Sequence, residues 1–263
     1  MIILDTPLWY DFRVITQPLF LGTFSLYAII LSGTAALGLF LSWWLAEDKR
    51  TLVLDAGLGI ILISLLSARA GFVFRNLAYF LDHPGQIPQF WLGGLSWPGA
   101  LIGAGLAMGG IHLIWKEPLG EMADQYLPLL GVMAFGAWLS SWGTGIGYGP
   151  EVEAWYGIPV QDLYGFALKR WPLPILGALL CGGWTAGVIL FPINRHRDPG
   201  FRALIGTTGI VAINGVISFL KVDPAPVLWG LRWESWFSLI FLAIMMIYFF
   251  ITRIDEKNEG SNP

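Results

Sequence analysis

The chain has 263 residues, of which 56% are hydrophobic and only 13% charged, with a mean hydropathy of +0.64. A soluble domain averages about 25% charged residues, so the composition describes a polytopic membrane protein. A formal net charge of −3 with scattered basic residues excludes nucleic acid as a partner, and a single cysteine, Cys181, excludes an intrachain disulfide.

In chain order, the N-terminus (MIILDTPLWYDFRV) carries Asp5 and Asp11 and no basic n-region, so residues 1–18 are read as an outer interfacial arm and not as a cleavable signal. Crossing the hydrocarbon takes about 20 apolar residues. Seven runs of about that length follow: Leu19 to Leu45, Leu54 to Leu81, Ser96 to Trp115, Tyr126 to Trp142, Pro174 to Ile193, Ala203 to Leu220 and Trp236 to Ile251. The fold class is therefore an all-α membrane protein of about seven transmembrane helices, one domain over residues 1–263. Residues 143–172 form a small outer loop or head, opening on GTGIGYGPEVEAWYG and read as irregular backbone on the membrane surface. Residues 254–263 form a polar cytoplasmic tail. Fourteen tryptophans and 17 phenylalanines suit aromatic belts at two interfaces.

Orientation follows from Lys and Arg outside the spans. One side collects Lys49, Arg50, Lys116, Arg195, Arg197, Arg202, Arg253 and Lys257, and the other Arg13, Lys169, Arg170, Lys221 and Arg232. The excess marks the first side as cytoplasmic, with the N-terminus outside and the C-terminus inside.

The organising stretch is Phe90 to Gly110, FWLGGLSWPGALIGAGLAMGG. Trp91 and Trp97 suit a membrane–water boundary, and Gly99/Gly103 and Gly105/Gly109 make two small-xxx-small spacings that admit a close helix neighbour. Ionisable groups inside a bilayer are costly and therefore mark candidate sites. Arg69 is the deepest, and two readings stand side by side: a donor to backbone carbonyls, or a clamp on a lipid phosphate, whose oxygens match a guanidinium bidentately. Arg75 lies about 240° further around the helix and is read as snorkelling to the outer interface. Asn214 and Ser218 share a face and suit helix–helix hydrogen bonding. His83, His112 and His196 are not spaced as a ligand pair, so no metal is expected. No carboxylate is placed within the membrane, since Asp55 is at the inner end of the second run and Glu151, Glu153 and Asp162 are in the outer loop; this ranks a proton-coupled transporter last and argues against a membrane-embedded general base.

The order of spans, the segment FWLGGLSWPGALIG, the SARAGFVF run, DQYLPLLGVMAFGAWLSSWGTGIGYG and RWPLPILG together resemble prolipoprotein diacylglyceryl transferase from about Leu19 to Lys221. The resemblance implies a seven-span bacterial inner-membrane enzyme that moves diacylglyceryl from phosphatidylglycerol to a lipobox cysteine. The family's functional positions fall on other residue types here. Its histidine after Gly-Gly-x-Ser-Phe is Pro98. The arginine of its Gly-Arg-x-Gly-Asn-Phe-x-Asn-Gly-Glu signature is Trp138, the asparagines are Ser141 and Thr144, and the glutamate is Ile146. The Arg-His-Pro-x-Gln-x-Tyr-Glu run becomes Arg170 to Gly177, the sixth-span arginine and glutamate become Asn214 and Ser218, and the first-span histidine becomes Tyr27. Lys221 keeps a basic position and Arg69 keeps the embedded charge.

Phosphate departure needs cations and thiol activation needs a base, so these exchanges predict an apolar cavity without acid–base machinery. The leading expectation is a catalytically silent, transferase-like protein that serves as a lipid-binding or structural subunit beside other membrane proteins. Its lipid contacts would be Arg69, Trp97, Trp138, Ser141, Asn214 and Ser218. The alternative is an active phosphatidylglycerol–prolipoprotein diacylglyceryl transferase with a rearranged site of Arg69, Lys221, Glu151 and Glu153. No cofactor is expected, and a bound phospholipid is left open.

Overall fold

The computed structural model describes residues 20–21, 24–46, 50–143, 146–161, 167–191 and 199–259. The expected interfacial arm (1–18), Thr144, Asp162, His196 and the last four residues of the expected tail lie outside the described residues. A two-residue hairpin, β1 (Phe20–Leu21) and β2 (Phe24–Ser25), leads into α1 (Leu26–Trp44), and α2 (Arg50–Arg75) is followed by a short α3 (Leu77–Asp82). Next come α4 (Trp97–Trp115), a short α5 (Leu119–Gln125) and α6 (Leu127–Gly143). A hairpin of β3 (Ile158–Gln161) and β4 (Ala167–Arg170) precedes α7 (Leu173–Leu190) and α8 (Phe201–Leu220). A small hairpin, β5 (Val227–Leu228) and β6 (Leu231–Arg232), then turns the chain into α9 (Trp233–Glu259).

Among the described residues five helices, α1, α2, α4, α7 and α8, are long and apolar enough to cross a membrane, and α6 and α9 contribute the shorter apolar stretches Leu127–Trp142 and Trp233–Tyr248. In lipid every spanning backbone group must be satisfied within its own segment, so helices are the form that these runs take. The chain is an all-α polytopic membrane protein. The ends holding the starts of α1, α4, α7 and α9 and the finishes of α2, α6 and α8 are called the upper end, and the opposite ends the lower end.

Local chemistry moves several boundaries from where apolar run length puts them. The first run begins not as helix but as the β1–β2 turn. Ser25 then caps α1, its hydroxyl accepting from Ala28 N at 3.2 Å while donating to Trp91 O at 3.1 Å. The second run starts earlier, at Arg50, and breaks after Arg75 at Asn76, whose side chain donates to Phe72 O at 2.9 Å. Ser96 caps α4 with Pro98 in its first turn, and Lys116 closes that helix in the left-handed region at φ 57°. The seventh run starts at Trp233, three residues ahead of the expected Trp236, and its helix continues to Glu259 through the first part of the expected tail. The loop between α6 and α7 is not wholly irregular: Ile158 pairs with Arg170 and Gln161 with Ala167, and Val152 N donates to Lys169 O at 2.9 Å.

The helices pack as a row in the order α4, α2, α1, α6, α7, α8, α9. Close approach of α2 and α4 depends on two glycines: a Cβ at Gly99 would stand 2.6 Å from Ser67 O and one at Gly103 2.6 Å from Ser67 Cβ. Gly105 and Gly109, expected to serve a second approach, meet nothing within 4 Å, so only one of the two spacings is used here. Two buried clusters result. One, at the lower end, gathers Leu39, Val53, Ile60, Met122 and Tyr126; the other gathers Trp138, Leu173, Cys181, Ile210 and Ile217 between α6, α7 and α8.

Asp124 at the end of α5 ties the lower end together. Its carboxylate accepts from Gly200 N at 2.8 Å and Ala203 N at 2.7 Å, so it caps α8 from 76 residues away in sequence. Asp124→Ala is expected to cost about 1–2 kcal/mol, read as a lowered Tm of the detergent-solubilised protein, with Asp124→Asn losing less.

Candidate functional site at the upper end of the bundle

Arg69 stands two turns below the upper end of α2, facing the loop that joins α3 to α4. Its Nε donates to Ile87 O at 2.7 Å, its Nη1 to Gly93 O at 2.9 Å and Gly94 O at 3.1 Å, and its Nη2 to Gln86 O at 2.6 Å. Both glycines have positive φ, 95° and 74°. A Cβ at Gly94 would stand 2.6 Å from the Phe72 ring and 2.9 Å from the guanidinium, so the Gly-Gly pair exists to bring its carbonyls onto Arg69. With four of its five N–H groups spent on backbone, Arg69 fits the carbonyl-donor reading of the two that its sequence position left open.

Arg75 does not snorkel. Its Nη1 lies 3.3 Å from Glu234 Oε1 on α9, its side chain is 20% exposed, and its Nε is buried without a hydrogen-bond partner. Although the two arginines sit on different faces of α2, both guanidiniums approach the Phe72 ring, at 5.5 and 5.4 Å. The other oxygen of Glu234, Oε2, lies 3.3 Å from Lys221 Nζ, and that ammonium stands 4.8 Å over the indole of Trp138. Glu234 thus sits between two cations, one from each side of the bundle. Arg232 is committed nearby: it bonds Asp223 Oδ1 at 3.2 Å, Lys221 O at 3.1 Å and the Asp223 carbonyl. Burial pushes the Asp223 carboxyl up from its ordinary value, with Arg232 and then Lys221 pulling it back.

Trp138 is the floor of this cluster. It is 5% exposed, a Cβ at Gly177 would collide with its indole, Gly147 lies against its ring edge, and its Nε1 has no hydrogen-bond partner. Asn214 donates to Ile210 O at 2.9 Å and approaches Cys181 Sγ at 4.0 Å, while Ser218 shares a 2.7 Å hydrogen bond with Ser235 across the α8–α9 contact. Ser141 donates to Ala137 O at 2.8 Å. Trp97 at the start of α4 meets Phe237 on α9 edge-to-face at 5.1 Å, so the two ends of the helix row meet at the upper end.

The expected grouping of Arg69 and Lys221 with Glu151 or Glu153 does not form. Glu151 pairs with Arg170 at 3.2 Å, and Arg170 lies over the Tyr148 ring at 4.6 Å; Glu153 is exposed on the head; Lys221 takes its carboxylate from α9. Loop length let any acid of the head reach Lys221 in principle, but the β4 strand holds Glu151 on its own arginine. Glu234 was missed because the seventh run, counted by apolarity, begins after it. The signal was present in Arg-Trp-Glu-Ser-Trp at 232–236, a carboxylate flanked by tryptophans on the first turn of a span.

Comparison with known proteins places this architecture. The profile of the family described as prolipoprotein diacylglyceryl transferase matches residues 18–251. The phosphatidylglycerol–prolipoprotein diacylglyceryl transferase of Hydrogenovibrio crunogenus is 26% identical over 231 residues, covering 84% of this chain and 82% of its own length. That of Geobacter sulfurreducens is 27% identical over 215 residues, 81% of this chain and 75% of its own. That of Bacillus velezensis is 35% identical over 118 residues, 43% of each. A profile spanning nearly every described helix, on a bundle of the expected architecture, leads to one assignment: the chain belongs to the prolipoprotein diacylglyceryl transferase family.

Proposed function

We propose that this protein handles phosphatidylglycerol at the upper end of its bundle and transfers the diacylglyceryl group to a lipoprotein cysteine through a rearranged site. The observation that carries this reading is the pair of cations, Arg75 and Lys221, gathered on the one carboxylate of Glu234, with Lys221 over Trp138, the residue that the resemblance puts at the family's signature arginine position. In the transfer the thiol sulfur bonds to the glycerol carbon next to the phosphate, the carbon–oxygen bond breaks, and glycerol phosphate departs with one more negative charge. Lys221 and Arg75 offset that charge, and the departing phosphate takes up the thiol proton. The relatives' names supply the substrates, and the chain's own residues supply the cations.

With purified protein, labelled phosphatidylglycerol and a lipobox peptide, turnover is expected, and Lys221→Gln and Arg75→Gln are each expected to lower it by about 10²-fold. Absence of turnover in the wild-type protein would sink the reading. A second reading is favoured by a specific observation: Arg69 is spent on carbonyls, and Pro98, Trp138, Ser141 and Ile146 stand where the family has ionisable or amide groups. On that reading the protein is a silent lipid-holding subunit with Trp97, Asn214 and Ser218 as packing contacts. Copurification with stoichiometric membrane partners and no turnover supports it. The upper end is assigned to the outside of the bacterial inner membrane, with the N-terminus outside and the C-terminus cytoplasmic. Reporter fusions at the two termini test that assignment.

A further inference from the structure

We infer that Glu234 is a built-in stand-in for a phosphate: Arg75 and Lys221 form a binding site for a phosphate ester anion, and the Glu234 carboxylate fills it until the anion displaces it. Three observations point there. Both carboxylate contacts are 3.3 Å, whereas charge-assisted N–H···O bonds settle at about 2.7–2.9 Å, so the two-oxygen carboxylate spans the gap between the cations without closing on either. Arg75 Nε is buried with no partner, which leaves a donor that a ligand with a third oxygen satisfies. Arg232 is bonded directly to Asp223, whereas among the described residues Arg75 and Lys221 make their ion pairs with Glu234 alone, so they are the two cations that an anion replacing Glu234 meets.

The geometry also explains why the exchange is reversible. Glu234 is on the first turn of α9, the terminal helix of the row, and it reaches both the finish of α2 and the residue that follows α8. An incoming phosphate therefore competes with one side chain and leaves the packing of α8 on α9, through Ser218 and Ser235, in place. Only the lipid source of the phosphate rests on the proposed function; the site itself rests on these contacts.

The test is retention of lipid by the full-length protein in detergent, measured by native mass spectrometry with phosphatidylglycerol and with diacylglycerol of the same acyl chains, alone and with inorganic phosphate as competitor. Glu234→Gln is expected to raise phosphatidylglycerol retention on the order of tenfold over wild type, and Lys221→Gln and Arg75→Gln to lower it by as much. A gain confined to phosphatidylglycerol and insensitive to inorganic phosphate assigns the site to a lipid headgroup; a gain abolished by inorganic phosphate assigns it to the free anion. Retention in Glu234→Gln equal to or below wild type, or raised equally for diacylglycerol, overturns the inference. If Glu234→Gln does not fold, Glu234→Asp draws the carboxylate back by one methylene and is expected to shift retention the same way. Because binding is read separately from turnover, loss of transfer with a retained Glu234→Gln gain would reject the transferase reading while leaving this site standing.

Discussion

Arg69→Ala is expected to be among the most destabilising single changes in the protein, lowering its stability by about 2–4 kcal/mol. The guanidinium satisfies the carbonyls of Gln86, Ile87, Gly93 and Gly94 at once, and two of those carbonyls are aimed at it by glycines in the left-handed region. Removing it strands four acceptors in a loop that is threaded between α3 and α4, and it also removes the cation held over Phe72 and Phe80 at 5.5 and 5.3 Å. Lys is not a substitute: a point charge with three rotatable donors does not span carbonyls that a planar fork reaches in one orientation. Thermal unfolding followed by size-exclusion of the solubilised protein reads this directly. A Tm within a degree of wild type for Arg69→Ala would show that the loop is held by something else, and that Arg69 is available to a lipid phosphate after all.

Gly99→Val is expected to be comparably severe for a different reason. The Cβ it adds would stand 2.6 Å from Ser67 O and 3.1 Å from Ala68 Cα, both backbone atoms that no rotamer change moves out of the way. The α2–α4 pair must therefore separate, and in lipid, where association rests on close van der Waals packing and small residues, separation forfeits much of what holds the pair. A loss of about 3 kcal/mol or more is expected, in the range of overpacked cores at its upper end. Gly105→Val, on the same helix but with nothing within 4 Å of its added Cβ, is the matched control and is expected to leave the Tm unchanged. Equal effects at the two positions would refute the one-sided use of the glycine stripe.

These two cases also separate the structural arginine from the charges at the upper end. Arg69 spends four of its five N–H groups on a loop and holds it; Arg75 and Lys221 share one carboxylate. Trp138, which the resemblance sets against the family's signature arginine, has the Lys221 ammonium over its indole face. The acid that joins Arg75 and Lys221 comes from α9, not from the head.

What the amino-acid order settled by itself is the membrane class and the approximate places of the apolar helices, five of them long enough to cross and two with shorter apolar stretches. Both follow from apolar run length, since a segment in hydrocarbon must satisfy its own backbone and must be about 30 Å long to cross. The family was legible too, from the order of spans and segments such as FWLGGLSWPGALIG, and the family profile matches residues 18–251. Helix ends were less legible, since Ser25, Asn76 and Ser96 set them through single hydrogen bonds that hydropathy does not register. The partners of the charges were decided only in three dimensions. Arg75 finds Glu234 159 residues away because the helix row brings its two ends together at Trp97 and Phe237, and Arg69 finds its carbonyls because two glycines turn them inward. A charge in a low-dielectric setting takes whichever partner the fold places within about 3 Å, and that placement is a property of packing, not of order along the chain.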